Sequence, residues 1–422
     1  MKVVHINKTE GGGGAAVAAR RLHEGLLKAG IESSMLVEKG SRNKGRHIDS
    51  LSGGLFSNVA AFCRFVSERL YLLPKERSSR MRYNFSVANV GVDISTHPLV
   101  READIIHLHW INQGFLSLGS LSKLFALGKP IFWTLHDMWS FTGGCHYAGT
   151  CLEYTEHCGF CPFLRTPEKA DLSYKGFLQK REVYGDVDLT AVACSNWLGS
   201  CATSSALLRK KKCITIPNPI DTKVFRPMDK NEARKELGLP TDKKLLLFGA
   251  ASVSDTRKGY RFLLEALRII SDSFPMIAKQ IELVVFGRVK GQLNEDNHNF
   301  KTHHLDFISS TETLVKLYNA ADVFVLPSLQ DNLPNTVVES MSCGTPVVGF
   351  RTGGVPEMVV HEKTGYLAEV KNALSLAGGI CSLLMSHTAS HQQEISEHAA
   401  SLYSEEVVIP QFVKAYEEAL KR

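Results

Sequence analysis

The feature that most constrains this chain is a recurring alternation of short apolar runs with amphipathic stretches. KVVHIN, SSMLV, DIIHLH, PIFWTLH and LTAVACS fall in the first half, and KLLLFGA, IELVVFG, DVFVLPS and TPVVGF in the second. Each run is apolar at successive positions, too short for a helix, and followed by a turn and a helical pattern. Strands apolar on both faces must be covered on both faces, which is the condition of parallel sheets flanked by helices. The pattern predicts an α/β chain of two doubly wound, Rossmann-like domains.

Length agrees, because 422 residues exceed one ordinary core. The pattern breaks at CITIPNPIDTKVF, residues 213–225, where two prolines and an Asn-Pro turn intervene. The expected domains are 1–216 and 217–401. The tail, 402–422, carries an amphipathic helix over roughly 405–421 that is expected to return to the first domain. With 44% hydrophobic and 22% charged residues and a net charge of +6, the chain reads as a globular protein. That charge does not call for nucleic acid as a partner; a phosphate-bearing ligand or an anionic membrane surface suits it as well. The opening MKVVHINKTEGGGG enters a strand-like run at once, without the long apolar stretch of a signal peptide, so a cytoplasmic protein is expected.

In open α/β sheets, ligands bind beyond the carboxyl ends of strands, so the loops there are the places to search. The first is TEGGGGAAVAARRLHEG, whose glycines allow close backbone approach and whose helix, beginning near Ala15, aims free amides at an anion. Gly11, Gly13 and Ala16 loosely satisfy a dinucleotide fingerprint, with Glu38 placed as a ribose-binding acid; a nicotinamide dehydrogenase and a plain flexible turn are both open on this loop alone.

A second site lies in DNLPNTVVESMSCGTPVVGF, residues 331–350, where Asp331 and Glu339 flank a proline turn and a helix start. Alone, the pair also reads as a surface turn followed by a solvated helix residue. Asn335 is the expected N-cap, with Thr336, Val337 and Val338 offering the first free amides. Glu339 would accept two hydrogen bonds from vicinal ribose hydroxyls, while Asp331 and the amides of Asn332, Leu333 and Asn335 would grip a sugar. The two carboxylates would then hold the two ends of one nucleotide sugar.

These motifs resemble the retaining glycosyltransferases of the GT-B fold, family 4, whose signature is acid-x7-acid followed by CGTPVV. Here the acids are Asp331 and Glu339, with GGVPE (353–357) and TGYLAE (364–369) following in the usual order. The resemblance spans nearly the whole chain and implies two domains facing a central cleft. It implies that Glu339 binds ribose, Asp331 the donor sugar and Lys258 the diphosphate. Gly13 and Gly14 would lie over that diphosphate and His136 of TLHDMW near the donor sugar and acceptor. Two departures stand out: the first acid is Asp331 where Glu is more usual, and Gly249 is followed by Ala250 and Ala251 where an arginine often stands. Arg257 is the candidate to replace that charge. LHDMW followed by spaced cysteines resembles the colanic-acid and exopolysaccharide branch. The implied reaction is hexosyl transfer with retention from a nucleotide-diphosphate sugar to a hydroxyl of a saccharide, in lipid-linked form among the options, with no catalytic metal. A non-catalytic sugar-nucleotide-binding scaffold would carry the same motifs.

Three further readings follow from the residues. Cys145, Cys151, Cys158 and Cys161, spaced C-x5-C-x6-C-x2-C, are candidates for a structural zinc, with His146 or His157 able to replace one of them; the alternative is a reduced, packed loop. His107 and His109 are expected to alternate faces of their strand, leaving one for the cleft. Residues 64–82 hold six basic and two acidic residues among Phe, Leu and Tyr, which suits either peripheral contact with an anionic membrane or an ordinary basic helix face.

Overall fold

A computed structural model describes residues 1–40, 47–288, 300–386 and 389–421. The chain divides into two compact units, Met1–Pro217 with Ile409–Arg422, and Asn218–Val408. The first is built on a seven-stranded sheet: β1 Lys2–Thr9, β2 Glu32–Lys39, β3 Ile48–Ser50, β4 Ile105–Leu108, β5 Ile131–Leu135, β6 Leu189–Ala193 and β7 Lys212–Thr215. Its order is β3-β2-β1-β4-β5-β6-β7 with every pairing parallel. The second holds β8 Lys244–Ser252, β9 Ile281–Arg288, β10 Thr302–Leu305, β11 Val323–Leu326, β12 Val347–Phe350 and β13 Gly365–Ala368, in the order β10-β9-β8-β11-β12-β13, again all parallel.

The nine apolar runs read from the sequence coincide with β1, β2, β4, β5, β6, β8, β9, β11 and β12. Their burial explains the pattern: β4, β5, β6, β11 and β12 are buried at every position, so helices cover both sheet faces. In each sheet the order reverses once, between β1 and β4 and between β8 and β11. The loops leaving those strands diverge to opposite faces and open a crevice, the switch point at which α/β sheets bind ligands.

The last helix, Glu405–Leu420, contains Pro410, which has no N–H to give the helix, and the change of unit falls beside it. Beyond it, the Tyr416 hydroxyl lies 2.6 Å from His107 Nδ1 and the Tyr416 ring meets Phe132 edge-on, with centroids 4.8 Å apart. Among the described residues no single helix is long and apolar enough to cross a membrane.

Candidate active site

In the second unit, the switch point gathers most of the residues singled out above. The turn after β8 carries Arg257 and Lys258 on the short helix Thr256–Lys258, where the Arg257 N–H donates to the side chain of the N-cap Asp255 at 2.9 Å. The turn after β11 carries Asp331. Lys258 Nζ donates to Asp331 Oδ2 at 2.6 Å, Ser328 Oγ donates to the same oxygen at 3.1 Å, and Arg257 Nη1 lies 3.6 Å from it. Arg257 also donates to the Gln330 carbonyl at 2.9 Å, tying the two turns together. Burial works to raise the Asp331 pKa, but Lys258 and Arg257 outweigh it and hold the carboxyl below its ordinary range. Burial lowers the Lys258 pKa, with Asp331 opposing. Lys258 and Asp331, assigned to separate parts of the ligand, are therefore one ion pair.

Two glycines make this approach possible. Gly259 has φ +70, and a Cβ there would sit 1.9 Å from the Pro327 carbonyl oxygen; Gly353, at φ +55, would place one 1.8 Å from the Asp331 oxygen. The turns after β8 and β12 thus press on the Asp331 loop from two sides, which only glycine allows.

Glu339 is buried on the helix Asn335–Ser342, and its Oε2 accepts the Tyr318 hydroxyl at 2.7 Å. The expected cap is displaced by one residue. Pro334 is the N-cap, with a fixed φ of −64, and Asn335 is the first helical residue. Val337 and Val338 direct their amides to the Pro334 oxygen at 3.0 and 3.4 Å, so they offer nothing to an anion. The Thr336 and Leu333 amides make no hydrogen bond among the described residues. Asn332 is buried, and the Asn335 side chain accepts from Asn218 Nδ2 at 3.2 Å. Sequence reasoning missed Tyr318 and Ser328; neither stands in a motif that marks it.

In the first unit, the loop after β1 keeps its glycines open: a Cβ on Gly11, Gly12 or Gly13 would meet nothing within 4 Å. The helix Gly14–Lys28 starts here on Gly13, with no side-chain cap. Glu38 is not a ribose acid. It is buried, and its two oxygens are taken by Lys8 at 2.7 Å and Arg64 at 3.0 Å, which removes the residue on which the dehydrogenase reading depended.

His136 is half-buried at the carboxyl end of β5, and burial pushes its pKa down to about 4. His107 and His109 do not take opposite faces. Two residues apart along an extended chain they share one, and their rings stack with centroids 4.5 Å apart. Next along the chain, Asp137 accepts from Trp110 Nε1 at 3.1 Å and lies 2.7 Å from His146 Nδ1.

Cys145, Cys151, Cys158 and Cys161 line one cavity with Gly143 and Phe163. Burial raises the thiol of Cys145 to about 11 and of Cys158 to about 12, and raises that of Cys161 as well. The Gly143 N–H donates to the Cys158 sulfur at 3.1 Å. Beneath them Lys180, pushed down to about 7 by burial, donates to the Trp139 carbonyl and to the Thr142 carbonyl at 3.0 Å. His146 is no substitute ligand, because its nitrogens face Asp137 and Ser86; His157 packs edge-on against Tyr174. The donors fit zinc in kind but not in spacing. Among the described residues the cluster whose ligand atoms lie within 4.8 Å of one another is His5, His107 and His109, and by that measure this buried triad could hold a metal.

In the 64–82 segment, Arg64, Arg69 and Arg82 are spent in ion pairs with Glu38, Glu68 and Glu76; the Arg80 side chain lies outside the described residues. Leu70, Tyr71 and Leu73 of this segment are exposed, and the most exposed apolar side chains are at the start of the helix Leu55–Leu72, with Phe56 89% and Leu55 77% exposed.

Comparison with known proteins gives this geometry a context. Residues 229–401 match the glycosyl transferases group 1 family. The colanic acid biosynthesis protein named glycosyl transferase WcaC, from Escherichia coli (strain K12), is 24% identical over 99% of this chain and 100% of its own. Sucrose-phosphate synthase from Thermosynechococcus elongatus has the same fold, with a TM-score of 0.69 at 19% identity over 100% of both chains. So does Anabaena Alr3699/HepE, solved in complex with UDP-glucose, with a TM-score of 0.63 at 15% identity over 99% of this chain and 100% of that one. These are GT-B likenesses. Residues 12–224, just over half of the 422, match Glycosyltransferase Family 4, and the chain belongs to that family.

Proposed function

We propose that this glycosyltransferase moves a hexose, with retention, from a uridine-diphosphate sugar to a hydroxyl of a saccharide acceptor in exopolysaccharide, capsule or O-antigen synthesis. The observation that carries the reading is the Asp331, Lys258, Arg257 and Glu339 constellation at the β8/β11 switch point. The uridine base follows the HepE likeness, and the pathway follows the full-length likeness to WcaC.

In this reading residues 1–216 form the acceptor-side domain and 217–401 the donor-binding domain. Glu339 accepts the ribose hydroxyls and Asp331 holds the sugar. Lys258, Arg257, the Thr336 amide and the loop of Gly13 and Gly14 stabilise the charge that develops on the departing diphosphate. Those groups supply cationic and amide stabilisation from the protein itself, so the chemistry is assigned no metal. A leaving phosphate oxygen takes the proton of the incoming hydroxyl. Asn332, Leu333, Asn335 and Val338 shape the pocket around the ligand.

Two finer assignments accompany it. Zinc at the four cysteines would clamp the loop after TLHDMW and take no part in transfer. Its support is the shared cavity, the Gly143 N–H and the Lys180 ammonium, and binding would require the thiols to lose their protons and draw together. A lipid-linked acceptor would bring the protein to the cytoplasmic membrane face through Leu55, Phe56, Val59 and Phe62, which are exposed on one side of their helix.

The deciding experiment is a thermal-shift panel of UDP, GDP, CMP, NAD and NADP, followed by transfer from the responding nucleotide's sugar with the product anomer read by NMR. UDP stabilisation and a retained configuration are expected. A response to NAD or NADP would restore the dehydrogenase, and binding without transfer to any saccharide would leave a scaffold.

A further inference from the structure

The buried polar row in the first unit has a direction. His5 of β1 and His107 of β4 are register partners across the sheet, and His109 follows on the same face. His5 Nδ1 lies 3.0 Å from His109 Nε2, and His109 Nδ1 lies 3.1 Å from His136 Nε2. At the inner end, His5 Nε2 is buried without a hydrogen-bond partner among the described residues. At the outer end, His136 Nδ1 makes no hydrogen bond among them. His107 stands beside the row with both nitrogens engaged, Nδ1 with Tyr416 at 2.6 Å and Nε2 with Thr134 at 2.7 Å.

A metal shared by His5, His107 and His109 suits the distances but not the orientations. An imidazole binds an ion in its own ring plane at about 2 Å. The planes of His107 and His109 are stacked at 18° and do not converge at that range.

Burial drives the pKa values of His5 and His109 well below the ordinary value, with the neighbouring histidines adding to the effect, so the row is neutral near pH 7. A neutral imidazole has one N–H. His109 must donate through one nitrogen and accept through the other, so the row runs one way or the reverse. Running inward, it ends in an N–H on His5 Nε2 with nothing to receive it. Running outward, it leaves only a bare lone pair there, and among buried backbone groups the orphaned N–H is the rarer defect, a preference we extend to the imidazole. The outward direction wins: His5 Nδ1–H to His109 Nε2, His109 Nδ1–H to His136 Nε2, and the remaining proton on His136 Nδ1.

We propose that His5 and His109 are positioning residues which hold His136 as a neutral Nδ1–H donor, so that it offers a hydrogen bond to an oxygen of the sugar or acceptor and does not act as the base. This rests on the reading of His136 as a group that faces the reacting molecules. Its test is the ring-nitrogen NMR spectrum of protein labelled with 15N at histidine. The expected spectrum of the wild type shows His136 protonated at Nδ1 and unprotonated at Nε2. In His109→Leu, His136 should acquire an Nε2–H population, and kcat should fall about tenfold with KM for the nucleotide sugar nearly unchanged, the mark of lost orientation. A wild-type His136 protonated at Nε2 overturns the proposal whether or not the variant folds. So does a His109→Leu protein with both tautomer and kcat unchanged. The tautomer is read without substrate, so a failure of the transferase assignment would show as absent transfer with the Nδ1–H form intact.

Discussion

Tyr318 donates its hydroxyl to Glu339 Oε2 at 2.7 Å, from one helix to the next and wholly inside the second unit. A carboxylate has about four acceptor directions, so Glu339 can keep this bond and still receive ribose hydroxyls. Tyr318 fixes one oxygen of the carboxylate, and in the proposed reading it would set the orientation in which Glu339 meets the ribose. Tyr318→Phe keeps the ring contacts with Phe286 and Phe324 and removes that bond. The expected cost is about 1.5–3 kcal/mol of stability, with a several-fold weaker Kd for UDP. Glu339→Ala should weaken UDP by roughly 10- to 100-fold for each ribose bond lost, since a bond to a charged group contributes about 1.5–3 kcal/mol. If calorimetry found Tyr318→Phe binding UDP like the wild type, Tyr318 would be a packing residue only.

The Lys258–Asp331 pair predicts non-additive losses. Lys258→Ala strands a buried carboxylate that keeps only Arg257, 3.6 Å away, as its cationic partner, and breaking such a pair costs about 3–5 kcal/mol. Asp331→Ala should cost about as much, yet leave bare UDP bound nearly as before, because its proposed partner is the sugar. The double variant should be less destabilised than the sum of the singles. Urea unfolding of the three proteins checks this; strict additivity would mean that the pair contributes no coupling.

Much of this fold is legible in the sequence where a strand is covered on both faces, as at DVFVLPS. It is illegible at the edges. β3 has three residues, β10 is THHL with no position fully buried, and β7 is only partly buried and runs into the Pro-rich boundary, so none shows a continuous apolar signature. The same division holds at the site. Asp331, Glu339 and Lys258 stand in local motifs, whereas Tyr318 reaches Glu339 only through helix packing, and Glu38 is consumed by Lys8 and Arg64 from distant parts of the chain. A one-residue shift of the helix start was hidden because Pro334 and Asn335 are both acceptable at a helix terminus.

The buried histidines set a pH dependence. Their folded pKa values are depressed, to about 3 for His107 and about 4 for His136, and well below the ordinary value for His5 and His109. Below about pH 6.5 the unfolded chain binds protons that the folded one refuses, so stability falls as pH falls, down to about 4 for His136 and about 3 for His107. Between about pH 7 and pH 5.5 each histidine should remove about 1 kcal/mol, roughly 4–5 kcal/mol for the four together. Urea unfolding at the two values tests it, and equal stabilities would show that the row takes up protons while folded.

Membrane contact is expected to depend on apolar side chains more than on charge, since Arg64, Arg69 and Arg82 are already paired. Vesicles with anionic lipid should sediment the wild type and release a Leu55→Ser/Phe56→Ser/Phe62→Ser variant. Added salt should have a modest effect, because screening acts on charges and not on buried apolar area. Equal sedimentation of both proteins would remove the helix from the proposal.

The cysteine loop supplies the last prediction. Four thiols around one cavity, with Lys180 beneath them, can exchange their protons for one zinc whose tetrathiolate charge the ammonium offsets. Closing the sulfurs round the ion would tighten the segment from Cys145 to Cys161, which now holds its shape through the Gly143 N–H to Cys158 and the Cys161 N–H to Asp171 Oδ2 at 2.8 Å. Protein purified without a metal-affinity step should contain about one zinc per chain. Cys158→Ser/Cys161→Ser should lose it together with several degrees of Tm, and a chelator should lower the wild-type Tm towards that of the variant. UDP binding should survive the metal's removal, because Lys258, Arg257, Asp331 and Glu339 lie in the second unit and the four cysteines in the first. Elemental analysis that finds no zinc under reducing, chelator-free conditions would return the four cysteines to the role of small buried hydrophobes.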